Sequence, residues 1–336
     1  MKKLAILCVV FSIAGVLNIT AAGQQDRKGT GELEFMFCAP KTDDPIWLVA
    51  KAGFDAAGED YGFNAIWTGC LDHTVEGTVM ALENTIASMP DGIVACPIAP
   101  PAFATTLQKA VDNDIPLVSL ILKPTSDDLR TAWIGADFKK AGLKAVKEIH
   151  RALGTDVVKL AGIQSNMDVE IQIEQIDSAR SYLNELGYGS EVVEVVEDHA
   201  DPSESYRLIK DLLTAYPDIN AIQSSESGGT PGVGQALHEL GLEDSVVAVC
   251  SDDTNINLDT LRKGWIHGVT AQDFWAMGYL AGKYLYMVNM GAEVPSETDT
   301  GVLLVTSENI DTYADKRDAE HARWRQEAPA LIASFQ

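Results

Sequence analysis

Short apolar runs alternate with segments of helical periodicity along almost the whole chain, and this alternation narrows the choice of folds more than any other feature. Runs at 33–39, 63–67, 92–95 and 116–122 are each set off by segments whose apolar residues recur every three or four positions. Ile46, Ala50, Phe54, Ala57 and Tyr61 form one such series, and Val75, Val79, Leu82, Ile86 and Met89 a second. A further helix is predicted from Pro101, a favourable first helical residue. The alternation resumes beyond Asp137, with runs at 157–163, 191–196, 221–224, 246–250, 265–271 and 302–306. Helical patterns cover 138–153, 169–186, 203–215 and 230–240. Continuous apolar strands separated by helices belong to parallel sheets covered on both faces, with right-handed crossovers. Two such series predict an α/β protein of two doubly wound parallel-sheet lobes, which a chain of 336 residues can supply. No repeat of solenoid length and no low-complexity linker is present, so the lobes are expected to pack closely through short crossings.

The first residues read differently. Lys2 and Lys3 precede an apolar run over 4–17, and Thr20-Ala21-Ala22-Gly23 supplies the small residues of a cleavage site. Residues 1–22 are therefore expected to be a signal peptide, cut near Ala22 or Gly23, that delivers the chain to the periplasm. Cys8 lies inside the apolar run, so a lipid anchor is not expected. A net charge of −24 opposes binding to nucleic acid or to anionic membranes. An oxidising compartment allows a disulfide among Cys38, Cys70, Cys96 and Cys250. Each of these also ends an apolar run, as a buried small hydrophobe would. No CxxC or Cys/His spacing suggests a metal.

In open parallel sheets, ligands bind beyond the carboxyl ends of the strands. That rule selects Lys41 to Trp47 after the first run and Gln164-Ser165-Asn166 after the run at 157–163. It also selects Ser225-Glu226-Ser227, Ser251-Asp252-Asp253 and Gln272-Asp273. The glycine-rich stretch Gly228 to Gly234 lacks the spacings of a dinucleotide or phosphate loop. There is no GxSxG elbow, and the six histidines are scattered. The chain is thus read as a binding protein with no catalytic residues, no metal and no cofactor.

At these residues the chain resembles the type I periplasmic sugar-binding proteins, the ribose-binding-like group. Three stretches carry the resemblance: Asp43-Asp44-Pro45-Ile46-Trp47 leading into Gly53-Phe54-Asp55-Ala56-Ala57; Pro217-Asp218-Ile219-Asn220-Ala221-Ile222; and Val246 to Asp252, followed by Gly264-Trp265-Ile266, Thr270-Ala271-Gln272-Asp273 and Met277-Gly278-Tyr279. The resemblance implies two lobes joined by a three-segment hinge, with the ligand between them. The crossings would lie near Gly135–Asp137, Gln272–Asp273 and 298–301, with Asp137 and Asp273 in the hinge. The N-terminal lobe would comprise 31–135 plus 273–299, and the C-terminal lobe 136–272 plus 300–336. The tail through Trp324 and Phe335 is expected to pack as a helix.

A sugar or polyol needs carboxylates and amides for its hydroxyls and an aromatic face for its C–H side. Asp44 matches a ligand-binding position, and also suits an N-cap before Pro45. Trp47 matches a stacking aromatic, or packs its helix. Asp252 matches a carboxylate that accepts from hydroxyls, or a turn residue. Gln272 matches a ligand amide at the hinge. Glu226 stands where the family often has Asn or Asp, or is a solvated loop acid. Asn166 and Lys41 complete the candidate set, with turn and surface roles as their alternatives. Where the family commonly has an Asp-Arg pair after the fourth strand, this chain has Ile121-Leu122-Lys123, and the family's next arginine aligns near Ile171–Ile173. A smaller, less hydroxylated or cationic ligand is therefore open. The resemblance implies a monomeric substrate-binding component of an ABC importer that docks on a membrane permease; presentation of ligand to a chemoreceptor or sensor kinase is the alternative.

Overall fold

The computed structural model describes residues 32–335 apart from His73 and Asp156; the expected signal peptide, its cleavage site and Cys8 lie outside the described residues. The chain opens with β1 (Leu33–Ala39), α1 (Pro45–Tyr61), β2 (Phe63–Gly69), α2 (Val75–Ala87), β3 (Gly92–Ala95), α3 (Pro100–Asp112), β4 (Leu117–Leu120) and β5 (Ala132–Gly135). It continues through α4 (Phe138–Leu153), β6 (Lys159–Gln164), α5 (Glu170–Leu186), β7 (Glu191–Glu197), α6 (Pro202–Ala215), β8 (Ala221–Ser224), α7 (Thr230–Leu240), β9 (Val247–Ser251), α8 (Asn255–Arg262) and β10 (Gly268–Gln272). It ends with α9 (Phe274–Asn289), β11 (Glu297–Asp299), β12 (Val302–Thr306) and α10 (Ile310–Ala333).

The strands form two six-stranded sheets, ordered β11-β5-β4-β3-β1-β2 and β12-β10-β9-β8-β6-β7. Within the described residues every ladder is parallel except β10–β12. The protein therefore has two α/β lobes, each with one edge strand drawn from late in the chain. The chain passes from one sheet to the other after β5, after β10 and between β11 and β12. Helices cover both faces of the central strands, and β3, β4, β8 and β9 are buried along their whole length.

Helix α9 starts directly after β10 of the second sheet, yet it packs on α1 and on strands β3, β4 and β5 of the first. Two glycines permit the close crossing of α1 and α9. A Cβ at Gly53 would lie 1.9 Å from the Trp275 carbonyl oxygen, and one at Gly278 would lie 1.9 Å from that of Ala50. Phe35, Phe37, Phe54 and Tyr279, all essentially inaccessible to solvent, fill the core beside this crossing.

The tail expected to belong wholly to the second lobe is shared between the two. Ile310 and Tyr313, at the start of α10, join the core of the second lobe. Ala328 joins the core of the first, with Trp324, Leu331, Ile332 and Phe335 packed against it. A 24-residue helix is about 36 Å long, enough to reach from one lobe to the other.

Gly278→Ala is expected to destabilise the protein by about 3 kcal/mol, because backbone on both sides must separate. A chemical-denaturation midpoint equal to that of the unmutated protein would contradict the close crossing.

Candidate functional site

At the carboxyl edge of the second sheet, polar side chains are held out of water by the strands and by one another. Asp252 follows β9 with φ of +65°, a left-handed conformation that Asp tolerates better than most residues. Its amide donates to the Thr270 carbonyl at 2.7 Å, and Asn257 Nδ2 donates to the carbonyls of Ser251 and Asp252 at 3.1 and 3.2 Å. The Asp252 carboxyl is thereby aimed at the end of β10, where Gln272 Nε2 donates to its Oδ1 at 3.0 Å. Gln272 Oε1 is buried with no hydrogen-bond partner. Burial, followed by the neighbouring charge of Asp253, pushes the Asp252 carboxyl up to about 7, with the Gln272 hydrogen bond opposing and Asp44 adding to the rise. Raised this far, the acid is available in its protonated form as well as its ionised one, so it can both donate to and accept from a hydroxyl.

Asp253 turns the other way. Its Oδ2 accepts from Tyr313 Oη at 2.6 Å and from Arg317 Nη1 at 2.7 Å. Asp273 caps α9, accepting from the Ala276 amide at 2.9 Å, and both of its oxygens lie 3.1 Å from His321 Nε2. Although burial works against it, the His321 hydrogen bond and the Arg317 charge hold the Asp273 carboxyl below its usual range. Asp137 caps α4, accepting from the Lys140 amide at 3.0 Å, and Lys140 Nζ links Asp137 to Asp299 at 3.3 Å each.

Glu226, considered above as a solvated loop acid, is instead buried. Its carboxylate accepts from the amides of Gly228 at 2.6 Å and Gly229 at 2.7 Å. Beside it sits Asp198, fully buried at the end of β7, which accepts from the Ala200 amide at 2.9 Å and from the Ser205 hydroxyl. Burial raises both acids, and the charge of Asp198 raises Glu226 further, so the pair holds a proton to higher pH than free carboxyls do.

The edge of the first sheet is less polar. Asp44 is the N-cap of α1, with Oδ1 accepting from the Ile46 amide at 3.0 Å. Trp47 packs in the core at 6% exposure, edge-on to Phe37 and Phe274 with ring centroids 6.4 and 5.8 Å apart. Lys41 is half-buried beside it in the chain. Asn166 is exposed and accepts from the Asp168 amide at 2.8 Å, an Asx turn. Ile121 ends β4 with φ of +64° and is buried, its carbonyl accepting from Trp133 Nε1 at 3.0 Å. Lys123 Nζ sits 4.6 Å over the Trp133 ring and pairs with Glu297 at 2.7 Å, and Ile171 packs against the first lobe's core. In the stretches where the resemblance implied arginines the chain thus has Ile121, Leu122 and Lys123, and Ile171 to Ile173, with Lys123 tied to Glu297 and Trp133. The four described cysteines are free and buried, and burial pushes the Cys38, Cys96 and Cys250 thiols up to about 12.

Asp252 and Gln272 are therefore brought into direct contact, with Asp44 within electrostatic reach. Among the described residues, Lys41 and Asn166 form no hydrogen bond or ion pair with them, and Glu226 points into its own loop. Asp253 belongs to a loop the strand-end rule selected, whereas Asp198, Arg317 and His321 were missed. Asp198 follows a strand like the others, and Tyr313, Arg317, His321 and Arg325 recur every four residues along one helix face.

The buried acids have a consequence for stability. Their folded-state affinities for protons exceed the unfolded ones, so their contribution is complete below the ordinary carboxylate range and is lost as pH rises through the folded values, about 7 for Asp252. Unfolding free energy is expected to fall between about pH 5 and pH 8, by up to about 1.4 kcal/mol per pH unit for each retained proton. Asp198→Asn, which keeps the bond to the Ala200 amide and supplies a donor to Glu226, should make that fall shallower. A denaturation profile that rises over the range would contradict the protonated pair.

Comparison with known proteins comes to the same architecture. The family model described as "Periplasmic binding protein domain" matches residues 35–293. The chain is 22% identical over 298 residues to the xylose/arabinose-binding protein XylF of Sulfolobus acidocaldarius, spanning 83% of this chain and 72% of that one. Among solved structures it resembles a sugar ABC transporter sugar-binding protein from Bacillus halodurans, with a TM-score of 0.76 at 26% identity, covering 84% of this chain and 100% of the other. It also resembles the arabinose-binding protein AraP of Geobacillus stearothermophilus, with a TM-score of 0.73 at 25% identity, covering 84% and 99%. With two parallel-sheet lobes, three passages between them and a family match over most of its length, the chain belongs to the periplasmic binding protein family.

Proposed function

We propose that this protein is the substrate-binding component of an ABC importer and holds a neutral sugar or polyol between its two lobes. The observation that carries the reading is the Asp252–Gln272 pair: a buried acid poised near neutrality beside a buried amide oxygen that lacks a donor. Hydroxyl groups both donate and accept, so they suit both atoms at once. A cationic ligand suits the site less well, because its charge would have to ionise Asp252 against the cost of burial. The sugar and arabinose binding named for the similar proteins supports the same class.

In this reading the lobes are 31–135 plus 273–299 and 136–272 plus 300–336, with the far end of α10 returned to the first, and the hinge passes Asp137 and Asp273. Asp252 and Gln272 fix the hydroxyls from one lobe while Asp44 meets the ligand from the other. Trp47 backs the loop that carries Asp44. Glu226 shapes the Ser225–Gly229 loop, while Lys41 and Asn166 stand at the rim. Ligand contacts made by both lobes at once favour the closed arrangement, and a membrane permease recognises that shape. The protein acts as a monomer in the periplasm and performs no chemistry on its ligand.

Ile121 and Ile171 favour a ligand with one unhydroxylated edge. Melting temperatures measured across a panel are therefore expected to rise more with 6-deoxyhexoses such as L-fucose or L-rhamnose than with ribose or galactose. A larger rise with the fully hydroxylated sugars would overturn the apolar edge. Asp252→Ala should weaken binding of whichever sugar gives the largest rise by about tenfold to a hundredfold, since one buried partner is lost. Unchanged affinity by titration calorimetry would remove Asp252 from the site.

A further inference from the structure

Helix α10 is anchored at both ends in different lobes and, between them, grips the residues next to the proposed ligand groups. At its start Tyr313 lies in the core of the second lobe and donates to Asp253. One turn on, Arg317 Nη1 donates to Asp253 at 2.7 Å and to the Gln272 carbonyl at 3.0 Å. That guanidinium is only 11% exposed. One further turn on, His321 meets Asp273, the first residue of the passage from β10 to α9, and its ring stacks on Trp275 with centroids 4.0 Å apart. At the next turn Arg325 pairs with Asp60 at 2.7 Å and Glu59 at 2.9 Å, both on α1 of the first lobe. Tyr279 Oη donates to the Trp324 carbonyl at 3.3 Å, and Phe335 meets Tyr286 edge-on at 6.2 Å. Near its middle the helix and the β11–β12 passage border a cavity of about 240 Å³, so the grip there is polar and local, not a filled core.

We propose that α10 is a strap across the hinge, a positioning element that couples the Asp252–Gln272 pair to the angle between the lobes. Arg317 is its central positioning residue: it holds Asp253 beside Asp252 and the carbonyl of Gln272 itself. Any rotation of the first lobe relative to the second moves α1 away from or toward the Arg317 end of the helix. The strap must then either release Arg325 from Asp60 or pull on Arg317, so the lobe angle and the ligand groups change together. The proposal rests on the reading of the two lobes as hinged binding halves, but it concerns the free protein.

The test uses the full chain without any sugar. Spin labels are placed at exposed positions on the two lobes by Glu76→Cys on α2 and Ser203→Cys on α6, the four described native thiols being buried. Pulsed electron resonance reads the distribution of interlobe distances. Arg317→Ala and Arg325→Ala, at the two ends of one strap, should each shift the ratio of the present arrangement to the alternative by about tenfold in the same direction. The double variant should shift the ratio by less than the two single shifts combined, because Arg317 and Arg325 act through the same helix. Arg325 is 40% exposed, so its replacement leaves the fold intact even where Arg317→Ala does not. Distributions identical to the parent, a shift from only one variant, or additive shifts in the double variant would each overturn the strap. A protein that binds no sugar yet shows the matched, non-additive shifts would sink the functional reading and leave the strap standing.

Discussion

The withdrawal of Asp252 from water is the constraint around which the second lobe is arranged. A carboxyl group moved into a protein interior loses its hydration and must recover it from fixed donors, or take up a proton. Here the recovery is partial. Gln272 supplies one donor, and Arg317 supplies compensating charge at one remove through Asp253. The loop is held from below, with Asn257 clasping the carbonyls of Ser251 and Asp252 and Thr270 accepting from the Asp252 amide. An acid left half-satisfied on a rigid frame costs stability in the free protein and becomes useful when a hydroxyl completes its shell.

The two lobes bring different chemistry to their facing edges. The second lobe ends its strands in Gln164, Asp198, Ser224, Glu226, Ser251, Asp252 and Gln272, all buried and most tied to one another or to backbone amides. The first ends its strands near Trp47, Cys96 and Ile121, with Asp44 spending one oxygen on a helix cap. In the proposed reading, such a pair of surfaces suits a ligand with a polar edge and an apolar edge better than one hydroxylated all round. In the second lobe, Gln175 bonds to the Ser225 carbonyl and Ser251 to Gln175, which joins the tips of β8 and β9 through one buried side chain.

Much of this was readable in advance, and the failures have physical causes. Strands at 33–39, 92–95, 221–224 and 302–306 lie where their apolar runs predict, and β3 and β8 among them are buried along their whole length. β4 stops at Leu120, short of the expected Leu122, because Ile121 turns into the left-handed region and its carbonyl serves Trp133. Trp265, expected in a strand, lies before β10 and stacks on His238 with centroids 4.7 Å apart. β11 reads Glu-Thr-Asp and shows no hydrophobic signal, since an edge strand can be polar. Asp252 and Gln272 could be selected by the strand-end rule. Arg317 and His321 could not, because that rule ignores a helix arriving from the far end of the chain.

The account stands on two sets of strand ends meeting one guest from opposite sides. Hydrogen–deuterium exchange of the protein with and without the best-binding sugar reports on both sets in one experiment. The account predicts added protection in the segment 40–47 of the first lobe together with 251–254 and 272–273 of the second. Protection confined to one lobe would contradict it.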